Sequence, residues 1–227
     1  SPEQMEVVKA KYGLDKPVIV QFGNYLKNMV KGDFGLSYVL YKDQGVADIV
    51  MPRAKISFIY GIAATALGTI VGMLLGIIAA LKRNTIWDTI ATIISVLGVS
   101  IPSFVFALLL VIILGVKLPV LPTMYLENDP IVSSIIPIVA LSMSVIANVA
   151  RFTRTEMISV LGSDYMTLAL AKGLDKKTLI FKHALRNALI PVITVIGPIL
   201  VNLMTGTMVV ESICNVPGLG QILIDSI

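Results

Sequence analysis

The chain has 227 residues, of which 56% are apolar and only 14% are charged, with a net charge of +4. A soluble domain is roughly 25% charged, and a mean hydropathy of +0.88 is more apolar than one soluble core can hide. The composition therefore indicates a membrane protein and excludes an intrinsically disordered chain, and the single His and single Cys exclude an internal disulfide and a Cys/His zinc cluster.

Residues 1–52 form a polar segment that we expect to be helical and external, with the membrane domain in residues 53–227. Ser1 and Gln4 are typical of a helix start. A second helix is predicted to end at Gly32, with apolar residues spaced three and four apart on one face. We expect this face to pack on neighbouring protein, with attachment to the membrane surface as the alternative. The sequence lacks a start Met and stops in an amphipathic stretch, so we expect a fragment of a longer protein.

Four stretches without a charged residue or His follow, and each has at least the roughly 20 residues that a helix needs to cross a membrane. We therefore predict an all-α, polytopic membrane protein with four spans in this sequence. The alternative, a set of buried helices in a large soluble core, is disfavoured because the chain has four such runs. The stretches are Ile56–Leu81, Thr89–Val116, Pro130–Ala150 and Asn187–Val210.

Small residues recur along the first of these spans, and prolines interrupt the second and the fourth. A ridge of small residues lets another helix approach closely, either within the chain or from a partner subunit. Pro102, Pro191 and Pro198 predict breaks in regular helix, which are tolerated where protein or a water-filled cavity satisfies the freed backbone groups. The small residues are Gly61, Ala64, Gly68, Gly72 and Gly76.

Lys and Arg gather in the links between the first and second spans and between the third and fourth. Seven of them lie in residues 151–187. Because cytoplasmic loops carry the excess of basic residues, we predict that both links are cytoplasmic and that both visible ends, including residues 211–227, are external.

The 151–187 link contains an apolar helix that is unusual for a cytoplasmic loop. Gly162 ends the helix that leaves the third span, a short helix is predicted at Asp164–Lys172, and Gly173 ends it. Asp175 begins a third helix that runs into the fourth span. An exposed apolar element of this kind usually marks an interface.

This link resembles the cytoplasmic signature loop of ABC importer permeases. Gly173, Ala169 and Pro191 match the signature's Gly, second Ala and later Pro, whereas Thr167, Leu168 and Arg186 replace its Glu, first Ala and first Pro. These departures are similar to the dipeptide/oligopeptide/nickel permease family, which shares the Ala-Lys-Gly-Leu stretch at 171–174 and the His-Ala-Leu-Arg-Asn-Ala stretch at 183–188. Residues 13–17, 31–35, 100–104, 210–213 and 216–221 also resemble that family, so the likeness covers nearly the whole chain.

The resemblance implies a type I ABC importer permease fold with six spans in the full chain, of the first of two permease subunit types, in the bacterial inner membrane. It implies four kinds of partner: a second homologous permease subunit, two ATP-binding subunits, an external substrate-binding protein and the lipid bilayer, with no nucleic acid. The chain has no phosphate-binding Gly-x-x-x-x-Gly-Lys-Ser/Thr motif. We therefore expect a non-catalytic subunit without cofactor, and ATP and Mg²⁺ in the partner subunits.

The resemblance also assigns candidate sites. The short helix and its turn are predicted to dock in a cleft of one ATPase, with the docking face supplied by Tyr165, Met166, Leu168, Ala169 and Leu170. Lys172, Lys176 and Lys177 either pair with acidic groups there or form a solvated charge run. The ATPase-coupling residues are Asp164, Tyr165, Met166, Thr167, Leu168, Ala169, Leu170, Ala171, Lys172 and Gly173.

Other polar residues are predicted to line the pathway or its outer mouth. The pathway candidates are Ser100, Asn148, Asn202 and Thr205, for which hydrogen bonding between helices is the alternative. Glu211, Pro217 and Gly218 are predicted to form an external lip. We expect His183 to be a packed or capping residue, Cys214 to be structural, and no metal site.

The function favoured by this pattern is the permease subunit of an ATP-driven, binding-protein-dependent importer, for oligopeptides or dipeptides. Nickel import by the same family is the runner-up, because metal recognition could lie wholly in the binding protein. An ion-driven secondary transporter is disfavoured by the charge-free spans, since such transporters usually need ionisable groups in the membrane. A passive membrane scaffold is disfavoured by the Gly- and Pro-rich fourth span.

Overall fold

A computed structural model describes residues 16–37, 40–206 and 208–226. Within these residues the regular structure is helical, apart from one isolated bridge between Leu36 and Gly45. The helices are α1 (Val18–Val30), α2 (Val46–Leu81), α3 (Ile86–Ser100), α4 (Ser103–Leu110), π1 (Val111–Lys117), α5 (Pro130–Ser133), α6 (Ile135–Leu161), α7 (Asp164–Ala171), α8 (Lys176–Thr178), π2 (Leu179–Ala184), α9 (Leu185–Gly206), α10 (Met208–Ile213) and α11 (Leu219–Asp225).

The chain divides into two compact units, one ending at Ala54 and the other running from Lys55 to Asp225. In the first unit the predicted second helix is present as α1, and Gly32 follows it with a φ of +80°. None of the residues of α1 is buried. The first predicted helix, with its start at Ser1 and Gln4, lies outside the described residues.

Among the described residues, three helices are long and apolar enough to cross a membrane: Val46–Leu81, Pro130–Leu161 and Lys176–Met204. The second predicted span is instead a pair of helical segments, Ile86–Ser100 and Ser103–Lys117, bent by 104°. The count is therefore three spans, or four if the bent pair is one broken span.

Pro102 accounts for the position of this bend. The residue before a proline is driven out of helical conformation, and Ile101 adopts an extended backbone, with φ −90° and ψ 120°. Pro102 then starts α4 as its N-terminal flanking residue. The predicted break at Pro102 is therefore present.

The break predicted at Pro191 and Pro198 is absent. Helix α9 continues from Leu185 to Gly206 with both prolines inside it. Each proline removes one backbone hydrogen bond, but the helix continues on both sides of it.

The ridge of small residues on α2 packs against other helices of the same chain: Gly68, Gly72 and Gly76 lie against α6, and Gly61 lies against α9. A Cβ on Gly68 would lie 2.5 Å from the Cβ of Val145, and a Cβ on Gly76 would lie 2.6 Å from the carbonyl oxygen of Ala150. Gly72 meets the Ile146 carbonyl in the same way, at 2.8 Å. Of the two roles predicted for this ridge, packing within the chain is therefore the one observed.

Helix α6 is the centre of the second unit. It contacts α3, α4 and α9, and its Leu141, Val145 and Val149 are completely buried in the main apolar core. A second, smaller core surrounds Met157, near the end of α6 that leads into the 151–187 link.

An ion pair joins α3 to α6 near the same end. Arg154 donates from Nε to Asp88 Oδ1 at 2.6 Å and from a terminal nitrogen to Oδ2 at 2.9 Å. The Asn84 amide also donates to Oδ2, at 3.0 Å. The Asp88 side chain is 8% exposed and that of Arg154 is 31% exposed, so removing the arginine would leave a nearly buried carboxylate unpaired.

We expect Arg154→Met to lower stability by about 2–3 kcal/mol, somewhat less than the roughly 3–5 kcal/mol of a fully buried pair, because the Arg154 side chain is 31% exposed. The double variant Arg154→Met with Asp88→Asn should recover part of this loss, because it also removes the buried charge. Apparent melting temperatures in detergent would measure both, with Arg186→Met as the control at an exposed arginine. A double variant no more stable than Arg154→Met would contradict the interpretation.

Candidate functional site

Helix α7 is suspended between two glycines, as the sequence predicts. It spans Asp164–Ala171 and follows Gly162 and Ser163. After it, Gly173 has a φ of +82°, and its amide donates to the Leu170 carbonyl at 3.0 Å. That left-handed conformation is costly for a residue with a side chain, so Gly173 sets the sharp turn out of the helix.

Met166 packs α7 against the smaller apolar core of the chain. It is 2% exposed and belongs to the smaller core with Ala80, Met157, Ala184 and Ala188. The prediction that Met166 contributes to an outward docking face is therefore wrong for this residue. Its apolar side chain finds partners on α2, α6 and the segment leading into α9, which the sequence pattern alone does not reveal.

Three large apolar side chains of α7 are exposed. Leu168 is 57% exposed and Leu170 54% exposed, and Tyr165 is exposed beside them. Asn187 Nδ2 donates to the Tyr165 hydroxyl at 3.0 Å, which ties α7 to the start of α9. We call this exposed set, Tyr165, Leu168 and Leu170, the α7 face. The remaining predicted coupling residues are exposed, except for the half-buried Ala169: Asp164, Thr167, Ala171, Lys172 and Gly173.

The arm that follows α7 begins with a capped turn. The Thr178 amide donates to Asp175 Oδ2 at 3.1 Å. Hydrogen bonds from the Thr178 side chain and backbone hold the pKa of Asp175 below its usual range. Lys172, Lys176 and Lys177 are all exposed around this turn.

His183 and Cys214 show no arrangement for chemistry. His183 is half-buried within π2, and no group of three or more metal-ligating side chains occurs in the part of the chain that the structure describes. Cys214 is buried, and burial raises the pKa of its thiol to about 11. The thiol is therefore protonated at neutral pH.

A polar cavity of about 280 Å³ lies between α4, α6 and α9. Two predicted pathway residues, Asn148 and Asn202, line it together with Ser103 and Ser144. Asn148 Nδ2 donates to the Ser144 carbonyl at 2.7 Å. The structure therefore brings together polar groups from three helices, and Ser103 and Ser144 were missed from the sequence.

The other two predicted pathway residues do not join this cavity. Ser100 is exposed as the last residue of α3, just before the bend, and it does not line the cavity. The side chain of Thr205 lies outside what the structure describes.

The predicted external lip is buried rather than exposed. Glu211 is 0% exposed, and its Oε2 accepts a 2.7 Å hydrogen bond from the Gly220 amide. Ser57 Oγ accepts from the Leu219 amide at 2.9 Å, so α11 is tied to both α10 and α2. Gly218 is buried between these groups, and Pro217 is half-buried. The Glu211 carboxylate therefore accepts from one free amide at the start of α11 and joins α10 to α11 inside the protein, instead of forming an outer surface.

Comparison with known proteins decides the family. Residues 72–227 match the model of the binding-protein-dependent transport system inner membrane component. The chain belongs to this family. As an inner membrane component of a transport system, it is a membrane protein of several apolar helices, in agreement with the predicted fold class and location.

Relatives of this inner membrane component cover the whole chain. The dipeptide transport system permease protein DppB of Lactococcus lactis subsp. cremoris is 42% identical over 227 residues, which is 100% of this chain and 74% of that protein. The oligopeptide transport system permease protein OppB of Salmonella typhimurium is 43% identical over 224 residues, 99% of this chain and 73% of that protein. The OppB of Escherichia coli K12 is 44% identical over the same length and the same shares.

A solved structure supports the fold of this family member independently. The crystal structure of an amino acid ABC transporter with histidines superposes with a TM-score of 0.58 at 14% identity, covering 79% of each chain. At that identity the likeness shows the fold alone. It agrees with the ABC importer permease fold that the resemblance implies.

Proposed function

We propose that this chain is one of two membrane subunits of an ATP-driven importer that takes up peptides and receives the energy of ATP hydrolysis through α7. The observation that carries this proposal is the α7 face. It is a set of exposed apolar side chains on a short helix. This helix lies between the end of α6 and the segment that leads into α9, in the 151–187 link where Lys and Arg gather. A chain of a binding-protein-dependent transport family with such a helix needs a partner to cover it.

Peptide as the substrate rests on the relatives. Those at 42–44% identity over nearly the whole chain carry the names of dipeptide and oligopeptide transport permeases. Asn148, Asn202 and the two cavity serines offer amide and hydroxyl groups, which can hydrogen bond to a peptide backbone without selecting its side chains. Such a lining suits a pathway in which an external binding protein selects the cargo.

In this proposal the chain itself hydrolyses nothing. A pair of ATP-binding subunits would bind ATP and Mg²⁺, and a second permease subunit would complete the pathway. Closure of the ATPases would push α7, and its two arms would move α6 and α9 as rigid bodies between two packed arrangements. The polar cavity lies between these two helices and α4, so it would open alternately to the two sides.

Reconstitution of the full-length chain with its partner subunits tests the proposal. We expect uptake of a radiolabelled tripeptide into proteoliposomes to require ATP, the ATPase subunits and the binding protein together. A chain reconstituted alone should give no uptake under a proton or sodium gradient. Gradient-driven uptake by the chain alone would establish a secondary transporter, and uptake of radioactive nickel without tripeptide would establish the metal alternative.

A further inference from the structure

A second cavity, distinct from the polar one between α4, α6 and α9, lies at the end of the spans that is next to the Lys- and Arg-rich links. It has a volume of about 240 Å³ and lies between α2, α3 and α6. Its walls are apolar, from residues such as Ala79, Ala91 and Val96, whereas Arg151 and Arg154 stand on one side of it. Apolar walls with a cationic rim suit a ligand that is itself amphiphilic and anionic.

The charge at this cavity is uncompensated at Arg151. Arg154 is committed to Asp88, with which it forms two hydrogen bonds. Among the described residues, no acidic side chain pairs with Arg151, which is exposed. The hydroxyls of Ser95 and Thr155 donate to backbone carbonyls of their own helices, at 2.8 and 2.9 Å. Arg151 is therefore a guanidinium at the cavity without an acidic partner among the described residues, and a guanidinium binds phosphate oxygens well.

The depth of the cavity matches the boundary between hydrocarbon and headgroups. Arg151 directly follows the charge-free run that ends at Ala150, and Lys82 directly follows the run that ends at Leu81. Lys82 Nζ lies 5.0 Å from the centre of the Trp87 ring, and Trp87 is itself exposed. Lys, Arg and Trp gather at the membrane interface, so this end of α3 has the composition of an interface anchor.

The apolar surface next to the cavity continues along α3. Ile93, Val96 and Leu97 are exposed, and Val96 also lines the cavity. An acyl chain lying on this strip would extend from the cavity into the hydrocarbon, while its headgroup stayed at Arg151.

We propose that the cavity between α2, α3 and α6 binds an anionic phospholipid, with its phosphate at Arg151 and an acyl chain along the exposed strip of α3. Basic pockets between membrane helices on the cytoplasmic side are typical sites for anionic headgroups. The lipid would fill the gap between α3 and α6 beside the Arg154–Asp88 pair. This site is independent of the transported substrate.

The test uses the assembled transporter in nanodiscs made from equal parts of phosphatidylcholine and phosphatidylglycerol. After extraction into detergent, mass spectrometry measures the ratio of the two lipids that remain bound. We expect the wild type to retain phosphatidylglycerol in preference, and Arg151→Gln to lower this preference about five-fold, the loss expected for one basic residue near an anionic surface. Arg151→Lys should keep most of it.

Two further variants separate the site from general surface charge and from damage to the fold. Thr92→Phe adds bulk from the exposed side of the cavity and should reduce retention without changing the charge. Arg186→Gln removes an exposed arginine from the same end of the molecule and should leave retention unchanged. The proposal is overturned if Arg151→Gln and Thr92→Phe retain phosphatidylglycerol as the wild type does, or if Arg186→Gln loses as much as Arg151→Gln. Displacement of the lipid by inorganic phosphate alone would also overturn it, because a soluble anion would then be the ligand.

Discussion

Replacing Leu168 and Leu170 together by Asp is expected to abolish substrate-stimulated ATP hydrolysis in the assembled transporter. The two leucines are the most exposed of the large apolar side chains of α7, at 57% and 54%. Docked in an ATPase cleft they would lose this exposure, and an aspartate buried there without a partner is strongly unfavourable. Both side chains are more than half exposed in this chain, so the fold of the membrane subunit should survive.

This ATPase measurement needs a control variant that adds a negative charge but keeps Leu168 and Leu170. Ser159→Asp does this near the end of α6, at an exposed position outside the predicted coupling residues. We expect Ser159→Asp to retain most of the stimulation and the double leucine variant to retain none, with both complexes recovered intact by size exclusion. Stimulated ATPase activity at the wild-type rate in the double variant would falsify the docking role of the α7 face.

The second large effect is expected at the contact between α2 and α6. Gly76→Ala places a Cβ 2.6 Å from both the Ala150 carbonyl oxygen and the Thr153 Cβ. Neither neighbour is the flexible end of a long side chain, so the two helices must separate. Overpacking of this kind costs about 1–3 kcal/mol. We expect the cost to exceed the roughly 1 kcal/mol that alanine gains over glycine in helix propensity, and Gly76→Leu to be worse.

Gly197→Ala is the matched control for this experiment. It makes the same change inside the membrane helix α9, where an added Cβ would have nothing within 4 Å in this chain. Thermal stability measured by fluorescence-detected size exclusion should fall for Gly76→Ala and stay level or rise for Gly197→Ala. Equal stability of the two variants would show that α2 and α6 can separate at little cost.

Local signals in the sequence predicted the parts of the fold that depend on near neighbours. Absence of charge marked the apolar helices, Pro102 marked the bend between α3 and α4, and Gly162 and Gly173 marked both ends of α7. These signals work because hydrocarbon excludes charge and because Pro and Gly act on the backbone at their own positions.

Features that depend on distant parts of the chain were not predictable in this way. Asp88 and Arg154 pair across 66 residues, and neither lies in a motif that names the other. Met166 and Glu211 were predicted to be surface residues because the sequence of a short segment does not show which of its sides another helix will cover. Their burial follows from α2, α6 and α9 for Met166 and from the fastening of α11 for Glu211.

Helix α6 gives the proposed energy transfer a simple mechanical basis. It runs 27 residues without a glycine, from the core of the membrane domain to the turn before α7, and its only proline, Pro137, lies in its first turn. Asn148 at the polar cavity is separated from Leu161 at the end of α6 by about 20 Å of continuous helix. A displacement of α7 would therefore reach the cavity along one stiff rod, without a relay of side-chain rearrangements in which the work could be dissipated.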